Sequence, residues 1–393
     1  HSSLSPWIIV SVIMLSGLSQ VTNFFFQGKY RILMQVEGKS YILTNLGTIV
    51  NAFSSIGKII LLLNGANIAV LQLMYFGFSV LQMIYITRYI RKNYQWLDLS
   101  VKPDYEAISQ KNSVMVHQIS GLIFENTDVL VLTVVCGLKT VSVYSMYVML
   151  FGMVGTAIST INSSVSFAMG QAYNTDKKYF SKLYNIFETY NMSLTFSLYC
   201  VANIFILPFL RLYTKGVSDV QYVDHLLPYL FIMTYLLSNG RSAAQRVIEY
   251  AGHFKLTQNR SIIESAINIC VSLVCVFKFG IYGVLFGTIA ALFYRTNDMI
   301  LYSSHKLLKR SAKNTYFKWI LNFILFAVIM FVSNKLFDIT MLNSYIMIII
   351  YAAIAGVVVV AAFFVMGSVI DKESYLYCRD FIVGKIKLKF DRQ

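Results

Sequence analysis

The Lys and Arg residues of this chain alternate with a strict period. Apolar windows of about twenty residues recur eleven times, at roughly 5–26, 41–63, 67–87, 114–136, 141–170, 190–210, 226–248, 261–277, 281–303, 319–334 and 342–368. Every second connection between them is basic: 25 of the 33 Lys and Arg fall in that set, counting Arg246 at the very end of its window with the connection that follows, and only 5 in the opposite set, leaving Lys58, Arg241 and Arg295 deeper inside windows. One window missed or invented would scramble this parity downstream. A stretch of about twenty apolar residues is the length of a membrane-spanning helix, and basic loops stay on the cytoplasmic side. The expected fold class is therefore all-α: a polytopic membrane protein with about eleven transmembrane helices, residue 1 outside and the C-terminus cytoplasmic.

Composition excludes the main alternatives. Hydrophobic residues make up 57% and charged residues 13% of the 393, where a soluble domain carries about a quarter charged. A net charge of +15 would suit nucleic acid only if clustered on one exposed face. Here it is dispersed among loops, so no nucleic acid partner is expected. The five cysteines sit mostly in apolar stretches without a CxxC pair, which indicates neither disulfides nor a metal site. No cofactor is expected, apart from coupling to H⁺ or Na⁺.

The chain is expected to divide into three helices (1–90), a cytoplasmic linker (91–113) containing Lys102-Pro103, a six-helix lobe (114–303), an additional helix pair (304–368) and a basic tail (369–393). A repeat links the first two helical segments. Gly38 and Gly65 flank one apolar window at a separation of 27, and Gly252 and Gly280 flank another at 28. Two helical pairs of matched length imply that the first three helices are the second half of another lobe, with three helices preceding residue 1. An outward start likewise implies an odd number of preceding spans, and a chain lacking them is not expected to transport.

Two stretches carry a resemblance to a known family. Gln27-Gly-Lys-Tyr-Arg-Ile-Leu-Met-Gln-Val-Glu-Gly-Lys-Ser-Tyr41 is similar to the loop between the fourth and fifth helices of the polysaccharide transporters. These form a branch of the multidrug/oligosaccharidyl-lipid/polysaccharide (MATE-like) exporter superfamily. Glu125-Asn-Thr-Asp128 through Gly137-Leu-Lys-Thr-Val-Ser-Val-Tyr-Ser145 resembles their seventh helix and the turn after it. The resemblance implies a fourteen-helix, two-lobe fold in the bacterial cytoplasmic membrane. It also implies a function: a flippase moving undecaprenyl-pyrophosphate-linked oligosaccharide from the cytoplasmic to the outer leaflet by alternating access, without catalysis. Membrane lipids, a polysaccharide polymerase and glycosyltransferases would be its further partners.

Ionisable groups inside spans are costly and are the first candidates for function. Lys58, Arg241 and Arg295 are candidate cavity cations for the pyrophosphate, although the first two lie near span ends and Arg295 has Asp298 at i+3. Glu125 and Asp128 lie near mid-span. His117, Gly121, Phe124 and Asp128 follow one helical stripe, giving a candidate ion-coupling cluster of His117, Glu125 and Asp128. Arg260 with Glu264 and Arg246 with Glu249 are expected as helix-end ion pairs. Two alternatives stay open. A multidrug or cation antiporter of the same superfamily would line its cavity with acidic and aromatic groups. A membrane enzyme of polysaccharide assembly would need a larger outer loop than 211–225.

Overall fold

In a computed structural model, residues 5–97, 104–106, 108–217, 219–336 and 342–390 are described, without the side chains of 382 and 384–390. His1, the linker residues 98–103 and Arg392 lie outside them, as do the side chains of Lys385, Lys387 and Lys389 in the expected basic tail. Among the described residues every regular element is helical, and nine helices are long and apolar enough to cross a bilayer. The chain is a polytopic membrane protein. It divides into two compact units, His1–Asp104 and Tyr105–Gln393.

The first unit contains α1 (Pro6–Thr22), α2 (Gly28–Val36), α3 (Ser40–Leu63) and α4 (Ile68–Asn93). A π-turn at Asn23–Gln27 joins α1 to α2, so helix continues to Val36. The stretch Gln27–Tyr41, expected as a loop, is therefore loop only around Glu37–Lys39. Its polar residues need not leave the helix, because a helical extension beyond the bilayer can carry them. Tyr30, Met34, Ile86, Ile90 and Tyr94 form the core at this end. Asn67 starts α4 by accepting the Val70 N–H at 3.1 Å.

The second unit runs α5 (Lys111–Val135), α6 (Leu138–Thr175), α7 (Lys177–Tyr213), α8 (Leu227–Gly240), α9 (Ser242–Tyr250), α10 (Phe254–Phe279), α11 (Ile281–Tyr302), α12 (Lys313–Leu336), α13 (Tyr345–Ile370) and α14 (Lys372–Phe390). With 38 and 37 residues, α6 and α7 are about 57 Å and 55 Å long, well beyond a hydrocarbon core of about 30 Å. One residue turns the chain between them: Asp176 accepts the N–H groups of Lys178 and Tyr179 at 2.8 and 3.0 Å. The α7 helix is central, since 61% of its most apolar window lies inside the protein. It packs on α6, α8, α12 and α13.

Lipid tails give helices no hydrophobic reason to associate, so close contact must come from small residues and hydrogen bonds. The tightest pair, α10 and α11, follows this rule. Gly283 lies against the backbone of Cys275 and Val276, and Gly287 against Ser272 and the Asn268 carbonyl. Elsewhere rings fill the space: Phe231 stacks on Tyr147 with centroids 5.4 Å apart and planes at 5°.

Two expected spans differ from the nine. The window at 226–248 breaks into α8 and α9 at Gly240–Arg241. The window at 281–303 is one helix, α11, whose last turns carry the polar run Tyr294-Arg295-Thr296-Asn297-Asp298. Gly38, Gly65, Gly252 and Gly280, the four glycines of the sequence repeat, all take positive φ, between 55° and 74°.

Candidate functional site

The break between α8 and α9 positions the main site. Gly240 is forced there by Trp319, whose ring would meet any added Cβ at 2.5 Å. The next residue, Arg241, leaves the break and places Nη1 2.9 Å from Glu264 Oε1 on α10. The other carboxylate oxygen of Glu264 lies 3.4 Å from Arg295 Nε on α11, an ion-pair contact without hydrogen-bond alignment. Arg295 is only 2% exposed; its Nη1 donates to Asp298 Oδ2 at 2.7 Å. Asp298 also takes Arg260, which lies over the Tyr302 ring. One charge network thus ties α9, α10 and α11 together.

From Arg295 the network continues to α5. Its Nη2 donates to Ser261 Oγ at 3.3 Å, Ser261 Oγ stands 2.6 Å from His117 Nδ1, and His117 Nε2 stands 3.0 Å from the Phe254 carbonyl. A carbonyl can only accept, which assigns a proton to Nε2; in the neutral ring Nδ1 is then the acceptor from Ser261. A cavity of about 430 Å³ opens onto this chain, with His117, Arg241, Arg295 and Glu264 in its wall and Glu125 exposed at its side.

Asp128 is elsewhere. Only 3% exposed, it accepts from Tyr144 Oη (2.8 Å) and Thr288 Oγ1 (2.7 Å), and Asn268 Nδ2 stands 3.4 Å away. All three partners are neutral, and the Asn268 Oδ1 beside them is buried without a partner. The expected single cluster of His117, Glu125 and Asp128 is therefore two sites. His117 and Glu125 face the cavity, while Asp128, a turn further along, is enclosed between α5, α6, α10 and α11.

Of the three expected cavity cations, Arg241 and Arg295 share one cavity. Lys58 belongs to the first unit, with its Nζ 4.8 Å from the Tyr75 ring. The expected pairs also change partners. Arg260 joins Asp298 rather than Glu264, and Arg246 Nη1 donates to Ser166 Oγ at 2.6 Å. Sequence spacing favoured neighbours on one helix, but helix packing supplies nearer groups across the interface.

A second buried charge cluster was not anticipated. Glu188 on α7, 1% exposed, binds Arg310 Nη2 (2.7 Å), Lys318 Nζ (3.0 Å), Tyr184 Oη (3.0 Å) and Thr315 Oγ1 (2.8 Å). Lys318 reaches on to Asp371 at 3.5 Å, joining α7, α12 and the end of α13. Burial works against the charge of Arg310, but Glu188 and Tyr184 outweigh it and raise the guanidinium above its ordinary value. Among the described residues no three His, Cys, Asp or Glu side chains are grouped to hold a metal ion. Neither a family model nor a curated protein matches this sequence.

Proposed function

We propose that the chain is an ion-coupled secondary transporter, and that its cargo is an undecaprenyl-pyrophosphate-linked oligosaccharide flipped across the bacterial cytoplasmic membrane by alternating access of two lobes. The observation that carries the transporter reading is the discontinuity at Gly240–Arg241, where an interrupted helix hands a guanidinium to a buried network beside a cavity. Broken helices at depth are the usual place for substrate and ion sites in such proteins, because unwound backbone there lines a polar cavity. The coupling ion, H⁺ or Na⁺, would bind at Asp128, whose neutral donors leave its charge to be balanced by an arriving cation. The cargo rests on the sequence resemblance to the polysaccharide transporters.

One observation favours a second reading. Beside Arg241 and Arg295, the cavity wall holds Glu125, Glu249 and Glu264, so cations are not in excess. Such a wall suits an organic cation as well as a sugar chain, and a cation antiporter of the same superfamily would use it directly.

Deleting the gene in its host separates the two. Under the flippase reading, lipid-linked oligosaccharide accumulates on the cytoplasmic leaflet and ethidium efflux is unchanged. Loss of ion-driven ethidium efflux with normal oligosaccharide export replaces that reading with the antiporter. If both processes are unaffected, neither assignment stands.

A further inference from the structure

Glu264 bridges two guanidinium groups that belong to different helices. Its Oε1 takes Arg241 Nη1 at 2.9 Å at the break between α8 and α9, and its Oε2 stands 3.4 Å from Arg295 Nε on α11. The fit is incomplete. Only the first contact is a hydrogen bond, and the Nε–H groups of both Arg241 and Arg295 are buried without an acceptor among the described residues. For a guanidinium as deep as that of Arg295, 2% exposed, an idle N–H donor is costly.

A carboxylate offers two oxygens at one fixed spacing. A terminal phosphate offers three, carries more charge and pairs with a guanidinium through parallel N–H···O bonds, so it can engage donors on both arginines that Glu264 leaves idle. Glu264 also has somewhere to go. It lines the cavity of about 430 Å³, into which its carboxylate can turn about the side-chain torsions without moving α10. The other glutamates of that wall are placed differently: Glu249 accepts from Gln245 Nε2 at 2.8 Å on its own helix, and Glu125 is exposed at the side.

We propose that Glu264 is an internal competitor of the anionic ligand: its carboxylate occupies Arg241 and Arg295, and a pyrophosphate group binds by displacing it and taking both guanidiniums. This rests on the reading of the cargo as pyrophosphate-linked and adds the residue that controls its admission. Binding then releases the α8–α9 break from α10 and ties it to α11 instead, so ligand arrival itself changes which helices are held together.

The test uses the purified protein in detergent and metal-free buffer, with inorganic pyrophosphate and farnesyl pyrophosphate as probes and binding read by calorimetry. Glu264→Gln removes the competing charge and is expected to tighten farnesyl pyrophosphate at least about tenfold, the scale of one charge-assisted hydrogen bond. Glu249→Gln removes an equal charge from the same wall without freeing an arginine, and should stay within about threefold, as exposed charges do. An equal gain in both variants reduces the effect to the overall charge of the cavity and overturns the proposal. So does a Glu264→Gln affinity equal to that of the wild type. If Arg241→Gln still weakens binding in that case, the anionic cargo site stands and only the exchange falls; if no variant binds either probe, both fall. Equal affinity for the two probes, with the gain in Glu264→Gln intact, keeps the exchange and removes the lipid-linked cargo. If Glu264→Gln does not fold, carbodiimide labelling of carboxylates in the wild type decides. The Glu264 side chain is only 11% exposed, so farnesyl pyrophosphate should raise its labelling several-fold while leaving exposed Glu373 on α14 unchanged. Unchanged labelling of Glu264 overturns the proposal.

Discussion

Arg241 Nη1, at the break between α8 and α9, stands 2.9 Å from Glu264 Oε1 on α10, with both side chains mostly buried. The pair is one edge of a network in which Glu264, Asp298 and Arg295 each face two opposite charges, while Arg241 and Arg260 at its ends each face one carboxylate. Removing one member of a buried pair leaves the other uncompensated, at a cost of about 3–5 kcal/mol. Glu264→Gln is therefore expected to lower the melting temperature in detergent sharply. Arg241→Gln combined with Glu264→Gln should recover part of the loss, giving a coupling energy above about 1 kcal/mol in a double-mutant cycle. Additive single effects would show that the two groups do not act as a pair.

Gly287 sets the distance between α10 and α11. A methyl group there would meet the Ser272 amide nitrogen and the Asn268 carbonyl, backbone atoms that no rotamer change can move away. The helices would have to separate, and overpacking of this kind costs about 1–3 kcal/mol. Gly287→Ala should destabilise the protein accordingly, with added damage to Asn268 and Thr288, which donate at the Asp128 site. Gly121→Ala provides the contrast, because nothing lies within 4 Å of the position and alanine is the better helix former. Equal melting temperatures for the two variants would remove the close-packing argument.

The sequence made the helices legible through the parity of its basic loops, and it made Arg241, Arg295, His117 and Asp128 legible through the cost of charge at depth. What it hid was partnership. Glu188 escaped notice because the apolar window begins at 190, although the helix containing it starts at Lys177. Arg310 and Lys318 read as ordinary loop cations for the same reason. Helices that extend past the bilayer bring such residues back into a protein interior that hydropathy does not register. Likewise Glu264 read as a partner of Arg260, because the i, i+4 rule is local. Its real partners come from α9 and α11, and no single-helix pattern announces them.

Asp224 gives a pH dependence outside the spans. Burial pushes its carboxyl up, but the Tyr282 hydroxyl, the Leu227 and Leu226 N–H groups and nearby His225 outweigh burial and hold it below the ordinary 3.8. A group whose folded pKa is depressed binds its proton more readily in the unfolded chain. Its stabilisation is therefore complete above the ordinary value and is lost as pH falls through the lower folded one. Unfolding in denaturant at pH 7, 5, 4 and 3 should show a loss towards pH 3 that is smaller in Asp224→Asn, which keeps an acceptor for the two N–H groups but carries no charge. Parallel curves for both proteins would mean that Asp224 contributes nothing to acid sensitivity.

Asp128 decides whether the second unit is ion-sensitive. Three neutral groups, Tyr144, Thr288 and Asn268, surround a carboxylate that is 3% exposed, and no cationic side chain among the described residues forms an ion pair with it. An unpaired carboxylate at such depth is expensive unless a proton or metal ion accompanies it. The melting temperature of the wild-type protein should therefore rise with added Na⁺ or with falling pH. Which of the two acts identifies the ion that the site binds, the coupling ion under the proposed function. Asp128→Asn, nearly the same shape and permanently uncharged, should melt close to the stabilised wild type and lose the response. Glu125→Gln should keep it, because Glu125 is exposed at the cavity and outside the enclosed site. A response that survives in Asp128→Asn and vanishes in Glu125→Gln would move ion binding to the cavity. A response that survives in both would end the coupling role of either carboxylate.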